Sequence, residues 1–246
     1  MSRWRYLART EDPLTSSRVT SDRGTQELIK PAPEADESPP ATGRRPRGSY
    51  SKGRAKRAEI LREAVHVFAE SGFRGGSLKH IADRVGLSQA GLLHHFSSKE
   101  QLLAEVIDER DEMDEAHLLV DGELPTGWTA LQRIADLVRH NATVPGLVQL
   151  YTTLSSEAIA EDHPAHGVFV DRYRWLRSFF DQAISKAQAD GDVDAGLDPT
   201  ATGSALIALL DGLQIQWLLE PTAVDMATAY ETALDRLRPR RPAPAR

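Results

Sequence analysis

The chain has 246 residues, enough to bury a sizeable core in one large or two modest domains. It has no cysteine, which excludes a disulfide scaffold, and its first residues, MSRWRYLARTEDPL, carry no apolar run behind their positive charge, so a reducing cytoplasm is expected and secretion is not. A formal net charge of −6 argues on average against a polyanionic partner, but charge is segregated: Arg44 to Arg57 holds seven basic residues and no acidic one, whereas Glu105 to Glu115 reads EVIDERDEMDE with Arg110 its single base.

Residues 1–48 are rich in Pro, Ser, Thr, Gly, Arg and Glu and lack both helical and alternating apolar patterns. They read as a disordered tail, either functional or translated from a start codon set too far upstream. From Arg54 onward amphipathic helical patterns follow one another with short punctuation and no alternating strand run, so an all-α fold is expected. The first helix, 54–70, sets Ile60, Leu61, Ala64, Val65 and Phe68 on one face and ends at Ser71-Gly72, where glycine suits a left-handed cap. Ser77 caps a short helix through Val85 with Ile81, Ala82 and Val85 inward, Gly86-Leu87 makes a turn, and Ser88 caps a third helix through His95. Ser97-Ser98-Lys99-Glu100 reads as a capping box opening a long helix that carries Leu102, Leu103, Val106 and Ile107.

Beyond Leu118 further helices are broken at Pro125, Pro145, His163-Pro164, Gly191 to Pro199 and Glu220-Pro221. In 168–189 the residues Leu176, Phe179, Phe180, Ala183, Ile184 and Ala187 form an apolar stripe, with Arg172, Arg174 and Arg177 mostly elsewhere. The run 205–219 is apolar around nearly its whole circumference, interrupted by Asp211, Gln214 and Gln216, and is too short to span a bilayer, so no membrane partner is expected. A last helix, 223–237, follows, and residues 239–246 read as a disordered C-terminus. The organisation expected is therefore the tail, a first helical unit at 49–106 with a basic arm, and a second helical unit at 107–238.

Two short helices joined by a tight glycine-containing turn, the second opened by a capping serine, make a helix-turn-helix. Its second helix suits a major groove about 12 Å wide, with first-turn side chains at base edges and flanking caps on phosphates. The segment 58–106, through Ile60-Leu61, Ala64, Phe68, Gly72, Ser77, Ile81-Ala82, Gly86-Leu87-Ser88, Gly91-Leu92, His95-Phe96, Ser98-Lys99-Glu100 and Leu102-Leu103, resembles the DNA-binding domain of TetR-family regulators. The resemblance implies a dimeric regulator of transcription, acting as a repressor that a small-molecule ligand releases from a double-stranded operator; no cofactor is expected, and the adjacent His94 and His95, without a Cys or carboxylate at helical spacing, point to no bound metal.

It also implies a recognition helix beginning at Ser88, with Gln89, Ala90, His94 and His95 as candidate contacts and Ser77 and Lys99 at phosphate-holding positions. Gln89 can bond adenine bidentately, and Ala90 can touch a thymine methyl. Arg54 and Lys56 from the basic arm, and Lys79, complete the expected DNA contacts. Where the family often has a tyrosine this chain has Leu93, which lacks a phosphate-binding hydroxyl. The resemblance places the dimer contact in the last two helices, for which Leu206, Leu209, Leu210, Leu213, Trp217, Met226, Tyr230 and Leu234 are the candidates, with Gly212 allowing close approach.

A ligand pocket is expected around Trp128, Tyr151, Trp175 and Phe179, with polarity from His140, His163 or His166. An enzyme is the first rival, but the sequence lacks a Walker loop, a dinucleotide-binding glycine fingerprint, HExxH and GxSxG, and Asp162-His163-Pro164-Ala165-His166 sits at a helix break where Asp and Pro punctuate. The repressor reading also competes with a ligand-independent architectural DNA-binding protein and with a transcriptional activator.

Overall fold

The computed structural model describes residues 47–239, in the helices α1 (Arg47–Gly75), α2 (Leu78–Arg84), α3 (Gln89–His95), α4 (Lys99–Leu118), α5 (Gly127–Asn141), α6 (Pro145–Glu157), α7 (His166–Ala189), α8 (Pro199–Leu219) and α9 (Met226–Asp235). Among the described residues the extended structure amounts to an isolated bridge between Val120 and Glu123, so the fold is all-α as the periodicity predicts. Most of the tail at 1–48 and the C-terminal residues after Pro239 lie outside the described residues, as do Arg44 and Arg45 of the basic stretch.

Helix α1 begins at Arg47, seven residues before the predicted start, so the second half of the basic stretch is helical and not an extended arm. It breaks at Gly72 (φ 67°, ψ −178°), a region that non-glycine residues essentially never occupy, in place of the left-handed cap expected there. A Cβ at Gly72 would also lie 2.1 Å from Oε1 of Glu157. The capping of α4 is displaced by one residue: Ser98 is the N-cap and accepts from the Gln101 amide, while Oε1 of Gln101 accepts from the Ser97 amide and hydroxyl at 2.6 and 2.7 Å. Gln101, not Glu100, thus closes the start of α4, and it does so by accepting from Ser97, the residue before the cap, where the regular box uses the amide of the cap itself.

Two apolar cores result. The first gathers Ile60, Ala64, Phe68, Ile81, Leu92, Phe96, Leu102 and Val106 from α1–α4, and it recruits Leu150, Tyr151, Leu154, Ala158, Ala165 and Phe169. The head at 49–106 therefore shares its core with α6 and the start of α7, since its short helices enclose too little apolar surface alone. The second core unites Leu131 and Ile134 of α5, Phe180 and Ile184 of α7, Leu206, Ile207 and Leu213 of α8, and Tyr230 of α9.

Helix α8 has 21 residues, with Pro199 at its N-terminus behind the Asp198 cap, longer than the expected 205–219. By length and composition it could cross a membrane, which corrects the sequence-based argument from shortness, but its inner face packs on α6, α7 and α9. Arg172 also departs from expectation. It lies in register with Leu176 and Phe180 and turns inward, meeting Asp111 and reaching Asp114 at 3.2 Å.

Candidate nucleic-acid interface and regulatory cavity

Helix α2 opens at Ser77, whose hydroxyl accepts from the His80 amide at 3.0 Å. The chain then turns at Gly86 (φ 67°), with the Leu87 amide bonded to the Ala82 carbonyl at 2.9 Å, and Ser88 caps α3 by accepting from the Gly91 amide at 3.0 Å. Leu92 and Phe96 anchor α3 in the core, which leaves Ser88, Gln89, Ala90, Leu93 and His94 on one open face. His95 is half-buried, its ring edge-on to that of His94.

The expected phosphate contacts are placed less uniformly. Arg54 and Lys79 are exposed, Lys79 beside Asp83 at 2.7 Å. Lys56 is turned to the fold: its ammonium donates to the Val85 carbonyl at 3.1 Å and pairs with Glu59 at 2.7 Å, satisfying a carbonyl at the end of α2. Arg57 likewise pairs with Glu105 and stacks on Phe96 at 4.3 Å. Lys99 lies half-buried with Nζ 4.4 Å from the Phe73 ring centroid, and desolvation holds its pKa below the usual lysine value against the opposing pull of Glu100 and Glu157.

The head is tied to the bundle at the break of α1. The Phe73 amide donates to Oε2 of Glu157 at 2.6 Å, the Thr153 hydroxyl donates to the Ala69 carbonyl at 3.2 Å, and Arg74 pairs with Asp162 at 2.9 Å. His163 is buried beneath Phe73. Its Nδ1 accepts from the Ala165 amide, and its Nε2 lies 3.4 Å from Oε2 of Glu157. His163 thus packs and orients the junction, and His166 bonds the Ala158 carbonyl at 2.8 Å, so neither serves the cavity described next.

The four aromatic residues expected around one pocket do not meet. Trp175 and Phe179 stack at 5.0 Å beside an open groove of about 600 Å³ with Leu124, Arg174 and Lys186. Trp128 lies under the Arg238 guanidinium at 3.6 Å, and His140 stacks on His117. Tyr151 alone of the four lines a smaller cavity, about 80 Å³, which is walled by α4, α5, α6, α7 and α8 and opens to the surface.

The walls of that cavity carry residues the sequence reading passed over. Arg110 and Arg172 stack on Tyr151 at 4.7 and 5.1 Å, and Arg110 pairs with Asp114 at 3.3 Å. The Tyr151 hydroxyl donates to Tyr173 at 3.3 Å, and Tyr173 donates to Oδ2 of Asp211 at 2.7 Å. Burial works against the Arg172 charge, but Asp111, Tyr151 and Asp114 outweigh it and raise its pKa further; burial raises the Asp211 carboxyl above the usual aspartate range, opposed by Tyr173 and Arg172. Signals did exist: Arg110 is the base inside the acidic run four residues before Asp114, Arg172 shares the apolar register of α7, and Asp211 interrupts an otherwise apolar helix.

Of the eight expected dimer contacts, Leu206, Leu213, Trp217, Met226, Tyr230 and Leu234 are buried in the chain's own second core, because α8 and α9 pack on each other and on α5–α7. Leu209 and Leu210 are half-buried. The outer face of α8 instead presents Ala201, Ala205, Ala208, Gly212, Ile215 and Leu219 at alternating four- and three-residue steps, with Leu219 81% exposed.

Comparison with known proteins agrees with this architecture. Residues 60–106 match the sequence profile of bacterial regulatory proteins of the tetR family, and residues 131–239 that of the BetI-type transcriptional repressor C-terminal domain. The transcriptional repressor KstR2 of Mycolicibacterium smegmatis is 33% identical over 87 residues, 35% of this chain and 42% of that protein, so this match spans under half of the relative's length. The regulator TtgR of Pseudomonas putida is 24% identical over 205 residues, 78% of this chain and 96% of that protein. Among solved structures, a TetR-family regulator from Agrobacterium tumefaciens superposes with a TM-score of 0.62 at 18% identity, covering 76% of this chain and all of that one. A transcriptional regulator from Saccharomonospora viridis in complex with choline gives 0.61 at 21% identity, covering 74% of this chain and 95% of that one. With one profile on the helix-turn-helix and another on the bundle, in the order in which the fold places them, this chain belongs to the TetR family of transcriptional regulators.

Proposed function

We propose that the protein is a cytoplasmic, homodimeric, operator-binding transcriptional repressor released by a small-molecule ligand. The observation that carries the reading is the open face of α3, where Ser88, Gln89, Ala90 and His94 stand clear of the core on a helix anchored by Leu92 and Phe96. Such a face can enter a major groove while Ser77 and Lys99, at the starts of α2 and α4, approach the flanking phosphates. Ligand control is supported by the cavity between α4 and α8 and by the choline held in a protein of the same fold.

Dimerisation is assigned to the outer face of α8. Most of this apolar helix is not buried within the protomer, and Gly212 faces open space where a second backbone can approach. Replacing Ile215 with Asp should shift the chain from dimer to monomer in sedimentation experiments and abolish tight DNA binding; an Ile215→Asp dimer would move the interface elsewhere.

The functional test is fluorescence anisotropy of the protein with DNA from the intergenic region beside its own gene, across a salt series. For about eight phosphates neutralised by a dimer, affinity should fall by roughly three to five orders of magnitude between about 50 and 200 mM salt. Binding no tighter than to unrelated DNA would count against a local operator.

A further inference from the structure

We infer that the cavity walled by α4–α8 binds a small protonated amine, held through its N–H groups by the carboxylate of Asp211 and the amide oxygen of Gln214. The inference rests on the ligand-responsive reading above and names the class of ligand. Its first support is the arrangement of charge. Arg172 reaches Asp111 and Asp114, and Arg110 reaches Asp114, so two guanidinium groups and two carboxylates form a closed set. Asp211 lies outside that set. Its hydrogen-bond donor is the neutral Tyr173 hydroxyl, and among the described residues it forms no ion pair. Arg172 attracts Asp211 from a distance but is already shared by Asp111 and Asp114, so the partly buried carboxylate stays under-balanced, and a cation in the cavity relieves that cost.

The second support comes one turn along the same helix. Oε1 of Gln214 is buried, lines the cavity and has no hydrogen-bond partner. Asp211 and Gln214, three residues apart on α8, therefore present acceptors from one wall. An ammonium group, with three donors and no acceptor, fits that wall. A carboxylate ligand would face Asp211 directly, and a quaternary ammonium lacks the N–H donors that both groups require. The Nε–H groups of Arg110 and Arg172 are also without partners, but their charge is already matched by Asp111 and Asp114, so they can take a water or hydroxyl and have no excess charge with which to recruit an anion. Facing them, Ile134, Leu137, Leu176 and Phe180 offer an apolar wall for the carbon body. A volume of about 80 Å³ suits a molecule of a few heavy atoms.

The test compares butylammonium with butyltrimethylammonium, butyrate and 1-butanol, by calorimetry and thermal shift on the full chain. Butylammonium should raise Tm in a concentration-dependent manner and bind at least tenfold more tightly than the other three. Asp211→Asn should weaken that binding at least tenfold without lowering Tm in the absence of amine, and Gln214→Leu should weaken it several-fold; the second variant carries the test if the first does not fold. Equal binding of butyrate or butanol, or amine affinity undiminished in both variants, overturns the inference. DNA anisotropy separates it from the functional reading. Amine binding that needs Asp211 but leaves DNA affinity unaltered upholds the site and overturns ligand release, whereas release by a compound that binds Asp211→Asn equally well does the reverse.

Discussion

The two ends of α4 handle charge in opposite ways. At its start, in the head, most polar groups stay near the surface beside partners a few residues away: Ser98 with Gln101 at the α4 cap itself, and Ser77 with His80, Lys79 with Asp83 and Ser88 with Gly91 on α2 and α3, while Arg57 crosses from α1 to Glu105 at a partly exposed position. Along its second half, in the bundle, Arg110, Asp111 and Asp114 are buried, and although Arg110 meets Asp114 within the helix, both carboxylates also depend on a partner from α7: Arg172 lies 61 residues from Asp111 and 58 from Asp114. Local contacts on a surface can be lost one at a time at little cost. Distant contacts in a core cannot, because each member depends on the others for its solvation.

The contrast is broken most forcefully at Arg172. Arg172→Ala leaves Asp111 buried without its cation and Asp114 dependent on Arg110 alone, and should cost about 3–5 kcal/mol in urea unfolding. Lys79→Ala removes an ion pair of the same formal kind on the exposed face of α2 and should change stability by less than about 0.5 kcal/mol. Similar losses for the two variants would mean that burial does not set the difference.

The same division governs what was legible in the sequence. Ser77, Ser88 and Gly86 announce the helix-turn-helix because caps and turns are decided within four residues. Even the misplaced capping box was off by a single residue, since Gln101 and Glu100 both suit the reciprocal role. The cavity was not legible, because nothing in EVIDERDEMDE tells which acids turn inward until α7 delivers Arg172. The aromatic residues chosen instead share a composition typical of pockets but lie on different faces of the bundle. Six of the eight dimer candidates lie inside the protomer for a related reason: the largest apolar residues of α8 and α9 are claimed by the chain's own core, and smaller ones such as Ala205, Ala208 and Gly212 are left outside.

The seam between the regions is next in expected effect. Gly72→Ala must hold alanine in a backbone region it avoids and places a Cβ against Glu157, displacing the acceptor of the Phe73 amide. A loss of about 2–3 kcal/mol is expected. Combining it with Glu157→Ala should be less damaging than the sum of the two single changes, because both remove the same bond; strict additivity would mean that the seam is not a unit.

On the open face, Gln89→Ala should leave stability unchanged and weaken operator binding by about 1–3 kcal/mol, with discrimination lost at a single base pair. Lys99→Ala should instead lower affinity for all sequences and reduce the salt slope by about 1. If Gln89→Ala weakened every sequence equally, α3 would not be reading bases.

The smallest effect tests the bundle's side of the comparison through pH. Burial holds the Asp211 carboxyl above its ordinary range, so the folded state binds that proton more tightly than the unfolded chain does. Stability from this site is therefore full at pH values below the unfolded pKa, about 3.9, and declines as pH rises through the higher folded value. Asparagine keeps an acceptor for the Tyr173 hydroxyl and does not titrate. The stability of Asp211→Asn relative to the original chain should thus be near its minimum at acid pH, increase as Asp211 ionises, and then level off. Urea unfolding of both proteins at several pH values between about 4 and 7 follows that gap, spanning the ordinary aspartate pKa and the range above it. A gap independent of pH would mean that folding leaves the Asp211 carboxyl unshifted, and one that closes on going to neutrality that Asp211 is held as a stabilised ion in the folded protein. The bundle would then already balance its buried charge without a ligand, and the difference between the two ends of α4 would be one of burial alone.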